Sequence, residues 1–135
     1  MALHLSRKHH TLLLKWAEEA DNQECCGLLF GRGSSISDIR WTRNVATDPS
    51  TRFEIDPRAL IDAERISRNG EAPVIGYFHS HPNGRSEPSG TDISQAADDG
   101  RYWLIIADGQ ISAWEPKAKD GVVCDFAPIR LIVEG

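Results

Sequence analysis

The stretch that decides how this chain is interpreted reads GYFHSHPNGRSEPSGTD and runs from Gly76 to Asp92. His79 and His81 are two residues apart, so both imidazoles leave the same face of an extended backbone. Asp92 follows His81 by eleven residues and can return to the histidines if Ser89 begins a helical turn. Zinc prefers nitrogen and oxygen donors, and catalytic zinc sites commonly use three protein ligands. The spacing therefore predicts a metal site made of His79, His81 and Asp92.

Each of these residues also has an ordinary structural interpretation. Two histidines at a strand end are often only polar residues, and the pair alone is a weak signal. Asp92 in a first helical turn favours the helix dipole, and Ser89 at a helix start is a common N-cap. Because these four residues stand in one segment at matching distances, the sequence favours the metal site over three separate explanations.

The segments around this stretch predict a mixed order of helices and strands. Helices are predicted from Ser6 as N-cap to about Ala20, from Asp56-Pro57 to Asn69-Gly70, and as a short turn capped by Ser89 or Thr91. Strands or extended segments are predicted at Leu3–Leu5, Cys25–Phe30, Ile36–Val45, Phe53–Ile55, Val74–Phe78, Tyr102–Ala107, Ile111–Trp114, Val122–Phe126 and Ile129–Val133, with Pro128 between the last two. This order indicates a single α/β domain over residues 1–135, with one mixed β-sheet flanked by helices.

Composition narrows the classes of function and location. The formal net charge is −5, which argues against a general nucleic-acid or membrane-surface binder because such proteins need a basic face. The N-terminus MALHLSRKHH lacks the apolar core of a signal peptide, and no run approaches the ~18 apolar residues of a membrane span. The sequence therefore predicts a cytoplasmic protein that binds neither nucleic acid nor membranes.

The three cysteines do not form a disulfide framework, because their number is odd. Cys25 and Cys26 are adjacent, so on a strand they point to opposite faces and cannot chelate one ion together. We expect all three to be buried, reduced thiols.

A family resemblance rests on two elements of the chain. His79-Ser80-His81, then seven residues, then Ser89-Gly90-Thr91-Asp92 matches the signature His-x-His-x7-Ser-x2-Asp of the JAMM (JAB/MPN) metallopeptidases. Upstream, ECCGLLFG over residues 24–31 resembles the family's second element, an acid just ahead of a Gly-Leu-Leu-x-Gly strand. The resemblance covers about residues 24–92. It implies the MPN fold, which is related to cytidine deaminases, in its compact prokaryotic form.

The resemblance implies roles for five residues. One zinc ion per chain would be held by His79, His81 and Asp92. Glu24 would exchange protons with the attacking water and the leaving amine, and Ser89 would hydrogen-bond the oxyanion. The structural alternative for Glu24 is a solvated acid in the loop before a strand.

The family also implies a substrate class, namely an amide bond after the C-terminal Gly-Gly of a ubiquitin-like or sulfur-carrier protein. We expect such a tail to lie along an exposed strand edge near Thr51–Ile55, by β-augmentation. The sequence leaves open which carrier is cut, the leaving group, the oligomeric state and any need for a partner subunit.

Three alternatives compete with this interpretation. The chain could be a non-catalytic MPN interaction module, although such modules lack some of the five residues. It could be RadC-like and associated with DNA repair, because HSHPNGRSEPSGTDI resembles that family's loop. A zinc deaminase would need His-x-Glu and Pro-Cys-x-x-Cys, and this sequence contains neither.

Overall fold

The computed structural model describes residues 2–135. Helices and strands follow one another in a mixed order, and the predicted α/β class is confirmed. In chain order the elements are β1 (Ala2–Ser6), α1 (Arg7–Ala20), β2 (Cys26–Arg32), β3 (Ser35–Thr42), α2 (Pro57–Arg68), β4 (Val74–Ser80), α3 (Gly90–Gln95), β5 (Tyr102–Ala107), β6 (Gln110–Lys119) and β7 (Val122–Glu134).

All of these strands belong to one mixed sheet with the order β1-β3-β2-β4-β5-β6-β7. Strand β4 lies between β2, to which it is antiparallel, and β5, to which it is parallel. The sheet also closes on itself, which the sequence did not predict. Strand β1 pairs along its whole length with β7 and meets β3 at the single pair His4–Ser35.

The helix starts follow from their capping residues, as predicted. The Ser6 side chain accepts a hydrogen bond from the His9 N–H, and the Asp56 side chain accepts one from the Arg58 N–H. Pro57 occupies the first turn of α2, where its missing N–H costs no hydrogen bond. Ser89, and not Thr91, caps α3. No helix within residues 2–135 has the length and apolar character needed to cross a bilayer.

Two buried apolar clusters lie on the two faces of the sheet. Cys25 belongs to the cluster that contains Leu13 of α1, and Cys26 belongs to the cluster that contains Ala63 of α2. Successive residues of an extended backbone point to opposite faces. The prediction for this pair is therefore confirmed. The prediction for the third cysteine is wrong, because Cys124 lies exposed on β7.

The predicted break between two late strands is also wrong. Residues 122–134 form one strand, and Pro128 lies inside it opposite Trp114. Strand β7 changes neighbours close to this proline: it pairs with β6 up to Ile129 and with β1 from Arg130 onward. A proline at such a junction costs little, because few ladder hydrogen bonds are required of it there.

Gly27 sets the close approach of β2 to its neighbours. A Cβ atom at this position would lie 2.2 Å from the Arg40 carbonyl oxygen and 2.3 Å from the Phe78 ring. A larger residue would collide with the backbone of β3 and with the Phe78 ring, which is adjacent in sequence to His79 on β4.

Candidate metal centre

Strand β4 and the residue that follows it carry the two histidines. His79 pairs with Cys26 of β2 on one side and with Ile105 of β5 on the other, and it is 0% exposed. His81 lies just beyond the strand, and its N–H donates to the Ile106 carbonyl at 2.9 Å. Pairing on both sides of His79 and the bond from His81 to Ile106 therefore fix the backbone from which the two imidazoles project.

Helix α3 brings Asp92 to the same point. Its Oδ2 lies 3.2 Å from His79 Nε2 and 2.9 Å from His81 Nε2, and the two Nε2 atoms are 3.0 Å apart. In a tetrahedral zinc site with bonds of about 2.0–2.1 Å, ligand atoms lie roughly 3.3 Å from one another. The three side chains thus converge at close to the spacing that a single metal ion requires.

Hydrogen bonding sets the orientation of the His81 ring. Its Nδ1 lies 2.7 Å from the Arg85 carbonyl oxygen. A carbonyl only accepts, so Nδ1 carries a proton, and this bond directs Nε2 towards Asp92 and the candidate metal position. His79 is held differently, since its ring stacks on Phe53 at 4.3 Å and meets the edge of Trp103 at 5.3 Å.

The electrostatics of the three ligands follow from their burial and their mutual contacts. Burial alone would raise the pKa of Asp92, but hydrogen bonds from His79 and His81 hold it well below its ordinary value. Burial lowers the pKa of His79. For His81 the lowering effect of burial is outweighed by hydrogen bonds to Asp92 and the Arg85 carbonyl, so its pKa is raised. Asp92 is therefore an anion at neutral pH and is suited to a cation.

Glu24 joins this group from the loop before β2. Its backbone N–H donates to the Pro49 carbonyl at 2.7 Å, and its side chain is buried rather than solvated. One ligand atom from each of Glu24, His79, His81 and Asp92 lies within 4.8 Å of the others. Glu24 Oε1 is buried without a hydrogen-bond partner among the described residues. A buried carboxyl oxygen left unpaired beside three converging ligands fits a site that takes a cation and a water molecule.

Burial raises the pKa of Glu24 to about 7, with His81 lowering it and Asp92 raising it. A carboxyl group with a pKa near neutrality can both take up and release a proton at physiological pH. Its position beside the ligand set therefore suits it to acid–base chemistry.

Ser89 stands at the N-terminus of α3 and faces the same cleft. Its Oγ accepts a hydrogen bond from the Asp92 N–H at 3.0 Å, and its own N–H donates to Asp92 Oδ2 at 2.9 Å. Glu24, His81 and Ser89 line one cavity of about 380 Å³. Because Oγ acts as an acceptor in the cap, its hydroxyl hydrogen is left for another partner.

Two features of the site have no signal in the sequence. Phe53, in the loop before α2, and Trp103, on β5, form the aromatic surroundings of His79, yet neither has a fixed sequence spacing from it. The Arg85 carbonyl that orients His81 is a backbone atom, which any residue could supply. The sequence also predicts an exposed strand edge at residues 51–55. In the structure this segment forms no strand and has one antiparallel bridge, between Asn44 and Ile55.

This chain resembles one protein family, two named proteins and one solved structure. Residues 6–117 match the model of a family described as prokaryotic homologs of the JAB domain. The chain is 27% identical to a desampylase of Pyrococcus furiosus, over 94% of this chain and 88% of that protein. It is 31% identical to a Thermus thermophilus protein named as a probable TtuB-protein conjugate cleaving protease, over 64% of this chain and 58% of the relative. The solution structure of a Desulfitobacterium hafniense protein superposes with a TM-score of 0.80 and 29% identity, over 99% of this chain and 93% of the other.

Proposed function

The chain belongs to the family of prokaryotic JAB-domain homologues, and on that premise we propose that it is a zinc-dependent isopeptidase. Its substrate is the amide bond that follows the C-terminal Gly-Gly of a ubiquitin-like or sulfur-carrier protein. The observation that carries this proposal is the convergence of the buried Glu24 with His79, His81 and Asp92 within 4.8 Å. The wider proposal includes a single catalytic domain over residues 1–135 and a cytoplasmic location.

His79, His81 and Asp92 would hold the metal. A bound zinc ion would polarise the scissile carbonyl and lower the pKa of the attacking water. The set of two imidazole nitrogens and one carboxylate oxygen supports zinc, which favours such ligands in catalytic sites. With three protein ligands, such a site would have room for water or substrate beside the metal.

Glu24 moves the protons. With a pKa of about 7, its carboxylate can take a proton from water and later return it to the leaving amine. An amine is a poor leaving group unless it is protonated, so one residue that performs both transfers accounts for the hydrolysis of an amide.

Ser89 stabilises the negative charge that develops on the scissile carbonyl oxygen. Its hydroxyl hydrogen is not required by the cap, and Ser89 lines the cavity together with Glu24. A donor aimed at a developing oxyanion contributes roughly 3–4 kcal/mol to the barrier reduction.

The substrate class rests on the relatives together with the shape of the cleft. One relative is named a desampylase and another a conjugate-cleaving protease. The cavity at Glu24 is also lined by Ser50 and Thr51, so a tail that reaches the metal passes beside this segment. Small residues such as Gly-Gly fit a confined approach, because a bulky side chain next to the scissile bond would collide with the walls.

Measuring the zinc content of the purified protein tests the proposed metal centre. Purified protein should hold one zinc ion per chain, and His81→Ala should lose it, since two remaining ligands seldom retain zinc. A zinc-free wild type, or a fully occupied His81→Ala variant, would remove the basis of the proposal.

A second comparison tests the substrate class: folded carriers with Gly-Gly linkages should be cut faster than unstructured peptides with the same tail. Equal rates would indicate a general small-peptide metallopeptidase.

A further inference from the structure

A hydrogen-bonded chain outside the signature connects strand β6 to the metal loop, which we define as residues 82–88. The Trp114 indole N–H donates to Ser112 Oγ at 2.8 Å, and Ser112 Oγ lies 2.9 Å from the Ser86 carbonyl oxygen. Since Oγ accepts from the indole, its single hydrogen is free for a carbonyl. The Ser86 carbonyl is the closer acceptor, because the Ile105 carbonyl lies at 3.4 Å. Ser112 therefore fastens this loop to the sheet.

The peptide next to this anchor is the one that orients a metal ligand. The Arg85 carbonyl accepts the hydrogen bond from His81 Nδ1 at 2.7 Å. On the other side, the Arg85 N–H donates to Asn83 Oδ1 at 3.0 Å, and the Gly84 N–H donates to the His81 carbonyl at 3.0 Å. The Arg85 carbonyl thus lies between a turn that begins at His81 and the anchor at Ser86.

The loop needs such an anchor because its side chains supply little packing. Residues 83–87 are all exposed, so burial of apolar surface does not hold their backbone in place. A carbonyl that orients a ligand histidine is useful only while its own position is fixed. Ser112, half-buried on a strand of the sheet, supplies that fixed point.

We propose that Ser112 is a positioning residue of the metal centre. Through the Ser86 carbonyl it holds the Arg85 carbonyl against His81 Nδ1, so that His81 Nε2 stays turned towards His79 and Asp92. The proposal rests on the metal centre described above as the proposed function. It assigns a role in metal affinity to a residue on β6, far along the chain from the signature.

The test is a matched pair of variants, Ser112→Thr and Ser112→Val, which differ only by a hydroxyl in place of a methyl group. Ser112→Ala gives the simple deletion. Ser37→Ala is the control, because Ser37 Oγ also bonds a carbonyl, that of Phe30 on β2. Zinc affinity is measured by competition with a chelator, and the His81 Nδ1–H proton is followed by NMR in the zinc-loaded proteins.

Ser112→Val and Ser112→Ala should lose about tenfold in zinc affinity, the lower end of the effect of partners that orient metal ligands, and their His81 Nδ1–H proton should exchange faster with solvent. Ser112→Thr and Ser37→Ala should match the wild type in both measurements. Equal zinc affinity and equal proton exchange in the Thr and Val variants would overturn the role of Ser112. A wild type that binds no zinc would instead refute the proposed metal centre itself, so the two failures are distinguishable.

Discussion

Ser89 and Asp92 hold each other by two reciprocal hydrogen bonds at the start of α3, with N···O distances of 2.9 and 3.0 Å. The Asp92 oxygen that accepts from the Ser89 N–H also lies 2.9 Å from His81 Nε2. The helix cap and the candidate metal ligand are therefore one unit. A capping role and a catalytic role for Ser89 are compatible, because one uses its oxygen as acceptor and the other uses its hydrogen.

Substitutions at Ser89 should separate these two roles. Ser89→Ala removes both the cap and the hydroxyl and should cost about 1 kcal/mol of stability. Ser89→Gly should cost only about a few tenths of a kcal/mol, because glycine is tolerated at an N-cap. Both lack the hydroxyl and should lower kcat by about 100-fold. Urea unfolding and steady-state kinetics on zinc-loaded protein measure the two effects. A Ser89→Gly variant with wild-type kcat would leave Ser89 as a cap alone.

The raised pKa of Glu24 predicts a pH-dependent effect on the stability of the metal-free protein. Burial raises this pKa from 4.5 to about 7. Between these values the unfolded chain releases a proton that the folded chain retains, so stability falls as pH rises through this window and stays lower above it. Glu24→Gln removes the titrating group. Its stability relative to the wild type should therefore increase by about 2 kcal/mol from pH 4.5 to pH 8, after allowance for solvent screening.

Urea unfolding of both proteins in the presence of a chelator measures this difference. His81 and Asp92 also titrate, but their direct contributions are common to the two proteins. A stability difference that stays constant across the window would show that the Glu24 carboxyl is not buried as the structure has it.

The thiols should differ in reactivity. Burial raises the pKa of Cys26 to about 12 and also raises that of Cys25, so neither forms the reactive thiolate at neutral pH. Cys124 is exposed. Iodoacetamide at pH 7.5 should therefore modify Cys124 quickly and the other two only after unfolding, as read by mass spectrometry of the digested chain. A second cysteine that reacts at a comparable rate would contradict the packing around β2.

Gly27 and Gly90 should respond differently to alanine. A Cβ at Gly27 would lie 2.2 Å from a backbone oxygen of the neighbouring strand, whereas one at Gly90 would meet nothing within 4 Å. Gly27→Ala should lose about 3 kcal/mol through overpacking, while Gly90→Ala should be neutral or gain up to about 1 kcal/mol. Thermal unfolding compares them. Equal stability of the two variants would contradict the close approach of β2 and β3.

The sequence predicted the parts of the molecule that depend on near neighbours. Ser6 caps α1 through His9, and Ser89 caps α3 through Asp92, so each signal spans only three residues. The order of helices and strands followed from such signals and from apolar periodicity. The proximity of Glu24 to the three ligands came from the family resemblance and not from spacing, because more than fifty residues separate it from His79.

The features that the sequence did not predict depend on pairing between distant segments. Strand β7 continues through Pro128 because its pairing partner changes from β6 to β1 just after this residue. The stacking of Phe53 on His79 and the bond from Ser112 to Ser86 likewise depend on strand register and loop path. No periodic pattern within one segment encodes these contacts.

The central claim is that Glu24 and the three ligands form one centre that hydrolyses an amide bond after Gly-Gly. The most direct measurement is the mass of a carrier protein joined through its Gly-Gly end to a lysine, before and after incubation with zinc-loaded enzyme. We predict release of the carrier with a free Gly-Gly carboxylate and of the free lysine amine. Zinc-loaded Glu24→Gln, folded as the wild type, should be slower by at least about 100-fold. A zinc-replete wild type that leaves a panel of such conjugates intact would contradict the account. So would a Glu24→Gln variant within about tenfold of the wild-type rate, a difference of only ~1.4 kcal/mol.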